Sequence, residues 1–174
     1  TYSPTGRLLK VSDPQNQETT YVYDTFDRVS NITNQLNQIT SYTYDSDGNM
    51  LSMKDPKNQI VTYSYDTKGR LLRANYPDDV VRYSYNLNDK VTQVENSKSR
   101  IRYLYDSADR VINSQMIGLG DMSGYPAISQ NFTYNSDGQR TTFGDNKGTA
   151  LTYSYTSDGK LQRIVDSQGF IYNY

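Results

Sequence analysis

Apolar and polar residues alternate along short stretches of this chain, and the stretches recur. Val61, Tyr63 and Tyr65 stand two apart with Thr62 and Ser64 between them. Val81, Tyr83 and Tyr85 repeat the pattern around Arg82 and Ser84, as do Ile101, Tyr103 and Tyr105. A period of two puts alternate side chains on opposite faces of a β-strand, here one face apolar and one wet. Each strand runs into a short turn that closes on Gly48, Gly69, Gly138 or Gly159, or on Asp27, Asp89 or Asp109. Gly takes positive φ without steric cost, and Asp is among the few side chains that tolerate it. A return strand follows with two apolar residues three apart, as in Leu8/Val11, Val29/Ile32, Met50/Met53, Val91/Val94 and Leu161/Ile164. Strict alternation cannot put such a pair on one face, so a bulge or an early bend is expected there. A second polar turn, such as Asp13-Pro14 or Asp55-Pro56, leads to the next strand. Gly, Asn, Asp and β-branched residues interrupt every stretch of ten, which excludes helices.

The unit repeats along the whole chain. Its signature is Tyr21/Tyr23/Asp24/Arg28, Tyr42/Tyr44/Asp45/Gly48, Tyr63/Tyr65/Asp66/Gly69/Arg70, Tyr83/Tyr85, Tyr103/Tyr105/Asp106/Arg110, Tyr134/Gly138 and Tyr153/Tyr155/Gly159. Taking the second tyrosine as marker, Tyr2, Tyr23, Tyr44, Tyr65, Tyr85, Tyr105, Tyr134, Tyr155 and Tyr174 are spaced by 21, 21, 21, 20, 20, 29, 21 and 19 residues. All tyrosines but Tyr76 and Tyr125 fall on this lattice. Two strands of roughly five or six residues and two turns fit such a period. One hairpin is marginal in water, so stability has to come from neighbours joined into a sheet. The predicted fold is all-β: about eight tandem antiparallel hairpins forming one continuous, twisted, spiralling sheet over residues 1–174. The 29-residue step places an irregular insertion near 116–129, which holds Gly118, Gly120, Gly124 and Pro126 and suits a rim loop.

Composition changes the picture in one respect. Only 34% of the 174 residues are hydrophobic, yet 18 are Tyr, and there is no Trp. A chain this polar tends to disorder unless its apolar groups are concentrated, so the expected core is mostly tyrosine, each ring burying area while its hydroxyl finds a polar partner. The net charge is −1 with both signs intermixed, which gives no nucleic-acid footprint. No apolar run is long enough for a transmembrane helix, and the first residues lack a signal-peptide pattern.

Candidate chemistry is sparse. There is no His and no Cys, which removes the commonest general base, metal ligand and thiol nucleophile. The aspartates recur at every turn, whereas an active site is one constellation, so no catalytic, cofactor or metal residue is assigned. Asp45-Ser46-Asp47-Gly48-Asn49 has the opening of a calcium loop, but Pro56 stands where the bidentate Glu belongs. Asn31-Ile32-Thr33 and Asn131-Phe132-Thr133 match the glycosylation sequon, which matters only in a eukaryotic secreted protein. Rows of aromatic rings can also stack on sugars, which makes a glycan-binding surface the sharper alternative to a tyrosine core.

Tyr63-Ser64-Tyr65-Asp66-Thr67-Lys68-Gly69-Arg70-Leu71 resembles the YD repeat of the Rhs/YD family at every signature position, and the likeness recurs along the chain. Asn86, Asn135 and Thr156 depart from it in place of Asp, Phe132 in place of Tyr, and Arg140 in place of an aliphatic residue. The resemblance implies a strip of hairpins that spirals into a hollow shell, as in bacterial Rhs, wall-associated and Tc-type toxins and in teneurins. The function implied is a non-catalytic shell segment of a secreted or cell-surface bacterial protein, part of a longer polypeptide, enclosing a C-terminal toxin or cargo domain. The second reading is a surface adhesion module that binds carbohydrate or protein. The expected partners are the flanking repeats and the cargo, with self-association through open strand edges, no nucleic acid and no membrane insertion.

Overall fold

The computed structural model describes all 174 residues and divides them into two compact units, Thr1–Val81 and Arg82–Tyr174. The first unit holds β1 (Lys10–Ser12), β2 (Glu18–Tyr23), β3 (Val29–Thr33), β4 (Ile39–Tyr44), β5 (Met50–Lys54), β6 (Ile60–Tyr65) and β7 (Leu71–Asn75). Strand β8 (Val80–Tyr85) begins in it and runs into the second. That unit continues with β9 (Val91–Glu95), β10 (Ser99–Tyr105), β11 (Val111–Gly118) and β12 (Ile128–Tyr134). It ends with β13 (Arg140–Asp145), β14 (Ala150–Tyr155), β15 (Leu161–Asp166) and β16 (Ile171–Asn173). Within each unit every strand pairs antiparallel with its sequence neighbour, as the alternating pattern predicts.

The three-residue spacing of the apolar pair has the expected cause. Tyr21 faces Ile32 and Tyr23 faces Val29, with Ser30 bulged out between them. The same shift occurs opposite Tyr44, Tyr65, Tyr85, Tyr105, Tyr134 and Tyr155. One extra residue on the return strand therefore lets positions three apart meet tyrosines two apart.

Both ends of the hairpin use one turn geometry. Asp24 N–H donates to Arg28 O (2.8 Å) and Asp27 N–H to Asp24 O (3.2 Å), with Asp27 at φ 65°. This is a type I turn followed by a left-handed residue, a common three-residue hairpin loop. The connecting turn Asp13–Gln17 repeats it with Asn16 at φ 59°, and Asp55–Gln59 does so with Asn58 at φ 64°. Two connections are one residue shorter: Tyr76 N–H donates to Asp79 O, and Asn96 N–H to Ser99 O. These two account for the 20-residue intervals that end at Tyr85 and Tyr105. Gly48 holds the left-handed position at φ 92°. Gly48→Val is expected to cost about 1–2 kcal/mol, since a β-branched side chain is strained there, and the shift of the urea midpoint reads it.

Three sequence expectations change. The paired tyrosines from Tyr21 to Tyr155 are half-buried, Tyr2, Tyr172 and Tyr174 are exposed, and together they do not form an enclosed core; only Val61 (6% exposed) and Ala74 (1%) are buried. The physical reason is that within each unit every strand belongs to one sheet, so no second layer covers the tyrosine face. Tyr174 is not a second tyrosine of its unit. Its N–H donates to Gln162 O as Tyr21 N–H donates to Leu9 O, which makes it a first tyrosine. The irregular stretch is also narrower than 116–129. Strand β11 extends to Gly118 and β12 starts at Ile128, leaving 119–127 with one 3-10 turn at Gly120–Met122. Leu119 N–H donates to Lys98 O (2.7 Å) and Asn146 Nδ2 to Ala127 O (2.6 Å), so the loop is tied down at both ends.

Candidate functional site

What repeats in the structure is a joint between successive hairpins, and its parts are the signature residues. The bulge at Ser30 ends the β3–β4 ladder at Asn31 and Ser41, so Val29 O meets no backbone donor from β4. The second tyrosine of the next unit supplies one, Tyr44 Oη donating to Val29 O at 2.9 Å. The same bond joins Tyr23 to Leu8 O, Tyr65 to Met50 O, Tyr105 to Val91 O, Tyr134 to Val111 O and Tyr155 to Arg140 O, all at 2.7–2.9 Å. A half-buried carbonyl left open by the bulge is thereby satisfied. The first tyrosines (Tyr21, Tyr42, Tyr63, Tyr103, Tyr153) donate no hydroxyl bond to the protein and act as cross-strand partners of Ile32, Met53, Ala74, Ser114 and Ile164. Phe132 stands at a first-tyrosine position, where no hydroxyl is needed, and packs on Phe143 at 5.6 Å. Arg140, the departure from the aliphatic pattern, lies over the Phe132 ring at 4.8 Å.

The turn aspartate organises the tip. Asp24 Oδ1 accepts from Phe26 N–H (2.9 Å) and Arg28 N–H (3.0 Å), while Oδ2 accepts from Arg28 Nε (2.8 Å). Asp66 and Asp106 hold Arg70 and Arg110 in the same way. Arg28 then reaches the next unit, where Nη1 donates to Asp45 O (2.6 Å) and the guanidinium lies 4.7 Å from the Tyr44 ring centre. Arg110 repeats this on Asn135 O (3.0 Å) and Tyr134 (4.8 Å). The sequence marks these arginines only as polar residues after a turn. Their partners lie 17 and 25 residues away, a separation that local pattern does not carry.

The carboxylates have structural employment. Backbone N–H donation from Arg28, Arg70 and Arg110 leads the effects that lower the pKa of Asp24, Asp66 and Asp106, and the Asn49 amide leads for Asp45. A carboxyl lowered on folding contributes stability above its unfolded pKa, near 4, and loses it as pH falls through the folded value. Stability is therefore expected to be flat from pH 7 to about 5 and to fall below about 4, as circular dichroism in moderate urea would record. At the other end, burial raises the pKa of Tyr44, Tyr65 and Tyr105. A raised phenol gives stability that is complete below about pH 10 and is lost above it, when the donor to the bulge carbonyl ionises.

The Asp45 carboxylate, the candidate opening of a calcium loop, is committed to its own turn by Asp47 N–H, Asn49 N–H and Asn49 Nδ2. The remaining surface offers two faces. One carries the half-buried tyrosines and aliphatics. On the other, Thr62, Ser64, Arg82, Ser84, Thr152 and Ser154 stand exposed, as the alternation predicts.

Comparison with known proteins gives a consistent result. Residues 55–174 match a family model described as the teneurin YD-shell, and residues 2–34 match the RHS repeat. No curated protein sequence matches the chain. Among solved structures, the chain is similar to a protein in the Photorhabdus luminescens Tc holotoxin pore at 17% identity and TM-score 0.70, over 95% of this chain and 12% of that one. It is similar to a chain in the TcdB2-TccC3-Cdc42 crystal structure at 15% identity and TM-score 0.76, over 99% of this chain and 12% of that one. TcdB2-TccC3 without its hypervariable C-terminal region gives 17% identity and TM-score 0.68, with 95% and 12% covered. These likenesses show the fold, and this chain spans 12% of the length of each of those chains.

Proposed function

The chain belongs to the teneurin YD-shell family, and from that premise we propose that it is a non-catalytic structural segment of a secreted or surface-exposed bacterial Rhs/YD protein. In this reading its hairpins form part of a shell that encloses a C-terminal toxin or cargo domain of the same polypeptide. The observation that carries it is the joint between units. Tyrosine hydroxyls, arginines and turn carboxylates are spent on linking each hairpin to the next, an arrangement suited to a wall and not to turnover. The likeness to Tc toxin components supports the same reading.

The test is limited proteolysis of the full parent polypeptide. The enclosed domain is expected to resist protease while the array is intact and to be digested once Tyr→Ala substitutions at several second-tyrosine positions open the wall. Equal digestion in both would contradict enclosure. A second reading, adhesion through sugar stacking, draws on the half-exposed first tyrosines, whose hydroxyls make no bond within the protein. Glycan-array binding by the chain that disappears with Tyr42→Ala and Tyr63→Ala would favour it.

A further inference from the structure

The arginine that ties each turn to the next is not present in every unit. At its position stand Arg28 and Arg110, but also Asn49 and Gln139. Where the amides occur, a cleft opens between two successive turns. Beside Asn49 the cleft measures about 590 Å³, with Asp45 and Asp47 on one side and Tyr65, Asp66 and Lys68 on the other. Beside Gln139 the equivalent cleft is about 370 Å³, and there the longer amide reaches across to donate to Gly159 O (2.9 Å). The space is thus larger where the side chain that would fill it is shorter.

The walls of the larger cleft are those that hold Arg28 one unit earlier. Tyr65 takes the place of Tyr44, and Asp66 O takes that of Asp45 O. Asn49 Nδ2 engages Asp45 Oδ2 (2.9 Å) as Arg28 Nε engages Asp24 Oδ2 (2.8 Å), so the inner part of the arginine is replaced. Nothing replaces its outer part. No residue donates to Asp66 O in the way Arg28 Nη1 donates to Asp45 O, and the Tyr65 ring carries no guanidinium. Charge agrees with this vacancy. Arg28 neutralises Asp24 and Arg70 neutralises Asp66, whereas Asp45 and Asp47 form no ion pair with a lysine or arginine.

We propose that the Asn49 cleft is a binding site for the guanidinium of an arginine side chain on a docked polypeptide. The group donates to Asp66 O and lies over Tyr65, completing from outside the tie that Arg28 makes from within. A planar, fully charged fork that both stacks and donates fits these walls better than an ammonium does.

Titration of the 174-residue chain with N-acetyl-arginine N-methylamide, followed by amide NMR, tests this. Saturable shifts are expected at Asn49 and at 64–69, with the neutral citrulline counterpart about tenfold weaker. Asn49→Arg places the native strap in the cleft, a residue that the fold already accepts at Arg28, and is expected to abolish the shifts while preserving the rest of the spectrum. Equal binding of citrulline, absence of saturable shifts, or shifts unchanged in Asn49→Arg would each overturn the proposal. If these same amides move with protein concentration and free arginine analogue reverses the change, the guanidinium comes from a second copy. If they do not, it comes from a different polypeptide. The readout does not depend on whether the array encloses anything.

Discussion

Replacing Tyr44 with Ala is expected to destabilise the first unit by about 3 kcal/mol, the low end of the range for aromatic truncation, because the ring is only half-buried. Three contributions disappear together. The ring leaves a gap beside the bulge, Val29 O loses its donor, and the Arg28 guanidinium loses the face it lies over. Urea unfolding measures the sum, and two further variants divide it. Tyr44→Phe keeps the ring and removes one hydroxyl bond, an effect of about 1 kcal/mol. Tyr42→Phe is expected to change stability by less than about 0.5 kcal/mol, since the Tyr42 hydroxyl donates to nothing in the protein. Equal effects at 42 and 44 would show that the two tyrosines do the same work, against this account.

The second large effect is expected at Arg28. Arg28→Ala removes the ion pair with Asp24, the donation to Asp45 O and the stacking on Tyr44, for a loss of about 2 kcal/mol. The figure is held down because the pair is about a quarter exposed and partly screened. Arg28→Lys is expected to recover less than half, because an ammonium cannot hold Asp24 with one nitrogen and Asp45 O with another. Full recovery by Lys in a urea titration would reduce the arginine to a simple charge. In Asn49→Arg the same reasoning runs forward: a strap added beside Tyr65 is expected to raise stability.

Much of the fold was legible in the chain because its causes are local. Alternation across Tyr63 and Tyr65 reports a strand with one wet face, and positive φ at Gly48 or Asp27 follows from residue type. The bulge could be inferred from spacing alone, since no regular strand places Val29 and Ile32 on one face. The joint between units was not legible, and the reason is physical. Period-two logic assigns Tyr42 and Tyr44 to the same face and so to the same role. Their difference arises from a carbonyl opened by a bulge 15 residues upstream, which strand periodicity does not encode. The role of Arg28 is hidden for the same reason, as its acceptor belongs to the following hairpin. Tyr174 shows the limit from another side. Spacing between identical residues cannot distinguish a first tyrosine from a second, whereas the bond from its N–H to Gln162 O does. The tyrosine face, expected as a core, is half-exposed because a one-sheet array offers it no opposing layer.

The central claim is that each hairpin is fastened to the preceding one by the hydroxyl of its second tyrosine on the carbonyl left open by the bulge. NMR of hydroxyl protons tests it most directly. The Tyr23, Tyr44, Tyr65, Tyr105, Tyr134 and Tyr155 hydroxyl protons are predicted to exchange slowly and to lie close to protons of residues 8, 29, 50, 91, 111 and 140 respectively. Those of Tyr21, Tyr42 and Tyr63 are predicted to exchange too fast to be seen. Hydroxyl protons that exchange alike at both tyrosine positions, with no contact across the bulge, would contradict the account.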